Sequence, residues 1–352
     1  MISVLIIGGI HIGTKRIRKY ICLCLAAFLF LNACQTKTDS SSDIKADLIV
    51  FTSADESIYK PIIKEFMERT GLSINVITGS STDLADRIQS GALSNNIDVV
   101  FAIDSVMLEL NRTAWLPYHA EISAFDSNPE IVNDGAWIPL YHLPIVIMYN
   151  KWLVTSEEIP TGFESLLSDQ WKGKIAFISP NDSEISAYAL LISNNIIGNI
   201  GEYTKKLIKN LEYQTYDSNQ TLNSSIETGH MYLGISSEDN AYSLTKNNPD
   251  INYIYPNEGT FIITYGSAIS NECTNTDTAR SFIDFISSED VALFLSDNNH
   301  LRPARTDISA PDGLRPLSDL PQFTLPFNEI MKQYKIMLIG WNNHLNTYIP
   351  ER

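Results

Sequence analysis

The chain has 352 residues, room for about two domains, and its 44% hydrophobic and 19% charged residues exclude a disordered polymer. A formal net charge of −16 excludes a basic nucleic-acid surface, which needs clustered Lys and Arg to meet phosphates. The N-terminal segment differs from the rest. Lys15, Arg16, Arg18 and Lys19 form a basic block, and a short apolar run follows, ending in Leu31-Asn32-Ala33-Cys34. That order predicts a secretory signal over residues 1–33. Because the cleavage site ends in Cys34, the segment resembles a lipoprotein signal with lipid carried on the Cys34 thiol. The apolar run is short for a bilayer core, which needs roughly 20 residues. Residues 34–45, rich in Ser, Thr and Asp, read as a flexible tether.

Ordered structure is expected from LIVFTS (48–53), a buried-strand pattern. Ser53 and Glu56 have capping-box spacing for a helix carrying Ile58, Ile62, Ile63 and Phe66, which Gly71 stops. A strand over 74–78, a helix from about Thr82 and a strand over 98–104 complete parallel βαβ units. A strand at 144–150 opens a second alternating run. It has strands at 174–179, 213–216, 231–236 and 253–256, and helices from about Asp182, at 219–228 and at 238–246. A strand at 261–264, a helix at 275–287, a Pro-rich tail and a helix near 326–338 follow.

In open α/β sheets, ligands bind at the carboxyl ends of the strands. Two sets of candidates stand in those loops. Ser53, Ser80, Ser81 and Ser183 open helices, where free N–H groups suit anions. Asp55, Asp104, Glu238 and Asp239 are carboxylates that suit hard cations or amines. Each has a plainer reading as a helix cap or a dipole partner. Tyr149 reads as core, and Arg302 as a carboxylate clamp or a surface ion pair. Cys22 and Cys24 leave with the signal, so Cys273 stands alone and neither a disulfide framework nor a Cys-based zinc site is available. Six scattered histidines form no HExxH, and no GxSxG, P-loop or GxGxxG occurs. No enzyme is expected.

Several stretches in order resemble one family. They are FTSADESIYKPIIKEFMERTGLSINV, TGSSTDLADRI, NIDVVFAID, IVIMYNK, LLSDQWKGKIAFISPNDS, YPNEGTFIITYGSAI and ARSFIDFISSEDVALFL. The family is the type II periplasmic solute-binding proteins of ABC importers, with a subgroup of ferric-iron, thiamine, polyamine and aminoethylphosphonate binders. The resemblance implies an α/β fold of two lobes, each a mostly parallel sheet flanked by helices, with a ligand cleft between them. Lobe 1 would take 46–142 and 260–352, and lobe 2 would take 143–259. It also implies a monomer, anchored to the membrane and facing the periplasm or cell exterior, that serves a permease with a cytoplasmic ATPase. Ferric iron leads as cargo rather than cofactor, with Asp55, Asp104 and Asp239 as donors. The other subgroup ligands remain alternatives. In two places the sequence departs from the pattern: the tyrosine pair of iron binders falls on Asp239-Asn240, and the polyamine box holds Ile263 and Tyr265.

Overall fold

A computed structural model describes residues 46–91, 97–120, 134–198 and 201–347. The Cys34 lipidation expectation lies outside them. Among the described residues no helix is long and apolar enough to cross a membrane.

The first βαβ units form as the periodicity predicts. Strand β1 (Leu48–Thr52) pairs in parallel with β2 (Ile74–Thr78) and β3 (Val99–Asp104). Helix α1 (Glu56–Thr70) connects β1 to β2 and buries Ile58, Ile62, Ile63 and Phe66. It ends at Gly71, whose φ of 72° is the left-handed conformation that only glycine adopts cheaply. Helix α2 (Ser81–Gln89) leads toward β3, and the short α3 (Ser105–Leu110) follows it. Ala102, inside β3, has φ 55°, and the β3 pairing shifts register between Val100 and Ile103. This bulge bends the strand end that carries Asp104.

The expected mostly parallel sheets are corrected to a mixed sheet. Its strand order runs from β2 through β1 and β3 to Ile262–Ser270 (β9), Ile138–Asn150 (β5), Leu233–Ser237 (β7) and Ile175–Ala176 (β6), and the antiparallel pairs come from β5 and β9, two long strands the periodicity shortened. Strand β5 runs Ile138–Asn150 and is buried throughout. Residues 138–144 pair with β9 (Ile262–Ser270), while 145–150 pair with β7 (Leu233–Ser237) and β8 (Ile251–Ile254). One strand thus belongs to both halves of the molecule. Strand β9 in turn lies antiparallel against β3. Two residue pairs are added at the edges: β4 (Trp115–Leu116) on β9, and β10 (Arg302–Pro303) on β5. In the second half β6 (Ile175–Ala176) pairs in parallel with β7. The predicted strand at 213–216 is reduced to one bridge, Tyr216 with Ile178.

Helices α4 (Glu184–Ile197), α5 (Glu202–Asn210), α6 (Asn219–Glu227) and α7 (Glu238–Asn247) belong to the second run; α8 (Thr276–Ile286) and α9 (Glu289–Asn299) return to the first half. The terminal helix α10 (Phe327–Asn346) packs on α4 and α5 as well as on α3. Its Trp341 is fully buried against Phe177, with ring centroids 5.6 Å apart. The segment before it also crosses onto the second half. The Thr260 amide donates to the Pro321 carbonyl there and the Phe323 amide donates to the Thr260 carbonyl, beside Gly259 at φ 111°, where a Cβ would stand 2.8 Å from backbone atoms. Only glycine permits that approach.

Candidate functional site

A cavity of about 420 Å³ opens between the carboxyl ends of β1 and β2, the N-terminus of α4, strand β9 and helix α10, lined by Ser53, Ser80, Ser183, Glu184, Tyr265 and Tyr334 among others, and no Lys or Arg lines it. Contacts close across it. The Tyr188 hydroxyl on α4 donates to Asp104 Oδ1 at 2.6 Å. The Ser81 amide donates to Glu184 Oε1 at 3.2 Å, and the Tyr265 hydroxyl donates to Glu184 Oε2 at 3.0 Å.

Three acids have raised pKa values. Burial pushes Asp104 up against the pull of its hydrogen bonds from Tyr188 and the Met107 amide. Burial, with repulsion from Asp104 behind it, pushes Glu184 up to about 7. Burial likewise pushes Asp239 up to about 6, with repulsion from Asp55 and Glu238 adding to it. Three side-chain oxygens at the site are buried without a hydrogen-bond partner: Ser81 Oγ, Asp104 Oδ2 and Asp239 Oδ1. Tyr141, on β5, lies where these charges meet. Burial raises its phenol far above the usual range, and Asp239, Glu184 and Asp55 each raise it further. Its ring stacks on Tyr265, with centroids 5.1 Å apart and planes 16° from parallel.

The structure therefore brings Ser81 and Tyr265 of the predicted set onto Glu184, and Asp104 onto Tyr188 of the same helix, while the Asp55 and Asp239 carboxylates act on Tyr141, whose ring stacks on Tyr265. Asp104 lies deeper; it also caps α3 by accepting from the Met107 amide at 3.1 Å. Among the described residues no three His, Cys, Asp or Glu side chains stand within reach of one ion. A hard cation here must therefore draw on phenol or hydroxyl oxygens as well.

Other expectations are corrected. Ser53 caps nothing, because α1 starts two residues later than its capping box requires; its hydroxyl donates to the Ala102 carbonyl at 2.9 Å. Ser80 and Ser183 do cap, each taking a backbone amide three residues on. Ser80 forms its capping box with Asp83. At the start of α2 two of the amides expected to receive an anion are already used: Asp83 takes the Ser80 amide at 2.9 Å and Glu184 takes that of Ser81. Glu238 does not face ligand. It is buried, gripped at both oxygens by Arg302 (2.5 and 2.8 Å), and it also accepts from Tyr255. Arg302 is thus neither a ligand clamp nor a surface pair. Tyr149 is core, as its strand context predicts. Asn240, at the second tyrosine-pair position, donates to Ser236 Oγ at 2.8 Å and exchanges bonds with Asn223.

Two halves share the crossing strands β5 and β9, and a cavity without cationic side chains opens beside them. Residues 61–323 match the family model described as bacterial extracellular solute-binding protein, and the chain belongs to that family. Among curated relatives, iron uptake protein A1 of Synechocystis is 25% identical over 274 residues, covering 73% of this chain and 75% of that one. Among solved structures, the ferric binding protein from Campylobacter jejuni superposes with a TM-score of 0.74 at 20% identity, covering 84% of this chain and 99% of that one. The periplasmic binding protein AfuA from Actinobacillus pleuropneumoniae, solved with fructose-6-phosphate bound, gives 0.73 at 19% identity, covering 86% and 99%. At those identities the structural likeness establishes the two-lobed fold.

Proposed function

We propose that this solute-binding protein captures ferric iron outside the cytoplasm, without chemical turnover, and delivers it to an ABC permease. The observation that carries the reading is a set of oxygen groups with no cationic side chain on the adjoining cavity: Glu184 held by Ser81 and Tyr265, the Tyr141 phenol stacked on Tyr265, and Asp239 with a buried, unpartnered Oδ1. Burial raises Glu184 and Asp239, so without a cation their charges are held at a cost or are neutralised by a proton. A hard trivalent cation reverses both effects, and oxygen donors, phenolate included, suit it. Because the carboxylates come from both halves, the ion gains more in the closed state than in the open one and drives closure. The iron-binding relatives and neighbours agree with this ligand. A phosphorylated ligand like that in AfuA is disfavoured, since the cavity holds no cationic side chain and the Ser80 and Ser81 amides at the start of α2 are already taken by Asp83 and Glu184.

Calorimetry with ferric citrate, citrate alone and fructose 6-phosphate tests the reading. Wild type is expected to bind the ferric salt only, and Asp239→Asn to bind it about tenfold or more weakly, the scale of one lost charge-assisted contact. Binding of the sugar phosphate alone, indifferent to Asp239→Asn, would overturn it.

The same proposal places lipid on Cys34, motivated by the basic block, apolar run and LNAC sequence. Cys34→Ala is expected to lose membrane retention; a variant that fractionates and labels with lipid as wild type does removes the anchor from the account.

A further inference from the structure

The Arg302–Glu238 pair has a place in the fold that its chemistry alone does not explain. Arg302 is on β10, whose two residues pair with β5: Arg302 opposite His142, and Pro303 opposite Tyr141. Its backbone is thereby fixed beside Tyr141 on the crossing strand. Its guanidinium reaches the other way, into the second half, and holds both oxygens of Glu238. Glu238 opens α7, and the next residue is Asp239. Both side chains of the pair are almost wholly buried, at 2% and 1% exposure. The remaining bonds are committed too. Arg302 donates to the Arg315 carbonyl at 2.6 Å, and Tyr255 donates to Glu238. A planar fork matched to a carboxylate fixes orientation as well as distance.

We infer that Arg302 is a positioning residue for the cleft: it ties the start of α7 to the strand beside Tyr141 and so sets the spacing between Tyr141 and Asp239, two oxygen groups of the proposed cation site. The inference rests on that site reading. It also separates the roles of the two acids in the consecutive Glu238-Asp239 pair. The first is neutralised inside the protein, and the second is left with an unpartnered Oδ1. A site that must hold an ion across two moving halves needs its donors kept in register close to the crossing strands. The pairing of Ile145 with Ser237 puts the start of α7 there.

The experiment compares ferric citrate binding by the full chain as wild type, Arg302→Gln, Glu238→Gln/Arg302→Gln and Asp239→Asn, with circular dichroism confirming fold. Arg302→Gln leaves Glu238 buried and unpaired, and is expected to weaken binding by about tenfold or more. The double variant restores a neutral, hydrogen-bonding pair of similar volume, and is expected to return to within about threefold of wild type. Wild-type affinity in Arg302→Gln overturns the inference. So does a double variant as weak as the single one, which would mark a packing role. Should Arg302→Gln not fold, Arg302→Lys carries the test, because it keeps the charge but cannot grip both oxygens; a several-fold loss is expected, and an unchanged affinity is contradictory. An Asp239→Asn variant that binds as wild type defeats the site reading itself, whereas weakened Asp239→Asn beside unchanged Arg302→Gln defeats only the positioning role.

Discussion

Ferric affinity of the wild type should rise with pH through about 6 and about 7 and level off above, because those are the raised values of Asp239 and Glu184. The sign follows from competition. Below its pKa each carboxyl holds a proton that the cation must displace, and above it none. One pH unit is worth tenfold for each proton displaced. In the empty protein the same shift acts against stability: the folded state holds the Glu184 proton more tightly than the unfolded chain does. Its penalty therefore grows as pH rises from the ordinary value of 4.5 to about 7, and a bound cation removes it. Iron hydrolysis and citrate protonation also vary with pH, so the ratio of wild-type to Glu184→Gln affinity is the useful quantity. It is expected to grow by about thirtyfold from about pH 5.5 to about pH 8, because the Glu184 proton lost across that range is the one the variant does not carry, while Asp239 titrates in both proteins. A ratio that stays constant across that range would take Glu184 out of the binding equilibrium.

Tyr141→Phe is expected to lower ferric affinity by about ten- to a hundredfold, the loss of one strong contact to a charged group. The substitution keeps the ring, so the stack on Tyr265 and the buried strand should persist and the melting temperature should stay near that of wild type. Phenolate bound to ferric iron absorbs visible light, which gives a second readout: wild-type protein loaded with ferric citrate should be coloured, and the variant pale. A variant that keeps both colour and affinity removes Tyr141 from the donor set and leaves the carboxylates to act with some other oxygen.

How much of this was legible beforehand differs from residue to residue. The strand-end rule leads to Asp55, Asp104 and Asp239, because each follows or closes a strand whose apolar run is easy to see. Glu184 was missed although it stands directly after Ser183. An acid in a helix's first turn reads as a partner of the helix dipole, and only the fold brings Ser81 and Tyr265 onto it. Tyr141 was missed because β5 begins at Ile138, while the pattern suggested a strand only from 144. A tyrosine inside an apolar strand reads as core, and the three acids around it come from residues 55, 184 and 239. Glu238 was over-read for the converse reason: its partner Arg302 lies 64 residues further on, and nothing local announces the pair. The mixed sheet was hidden similarly, since the antiparallel partners of β5 lie far along the chain and periodicity gives strands without their neighbours.

Diffraction at the iron absorption edge, from crystals grown with ferric citrate, tests the central claim most directly. The account predicts one anomalous peak in the cleft, within coordinating distance of the Tyr141 hydroxyl and of at least one carboxylate from each half among Asp55, Glu184 and Asp239. A cleft with no anomalous peak, or an anion on the Ser80 and Ser81 amides with Tyr141 and Asp239 uncoordinated, would contradict it.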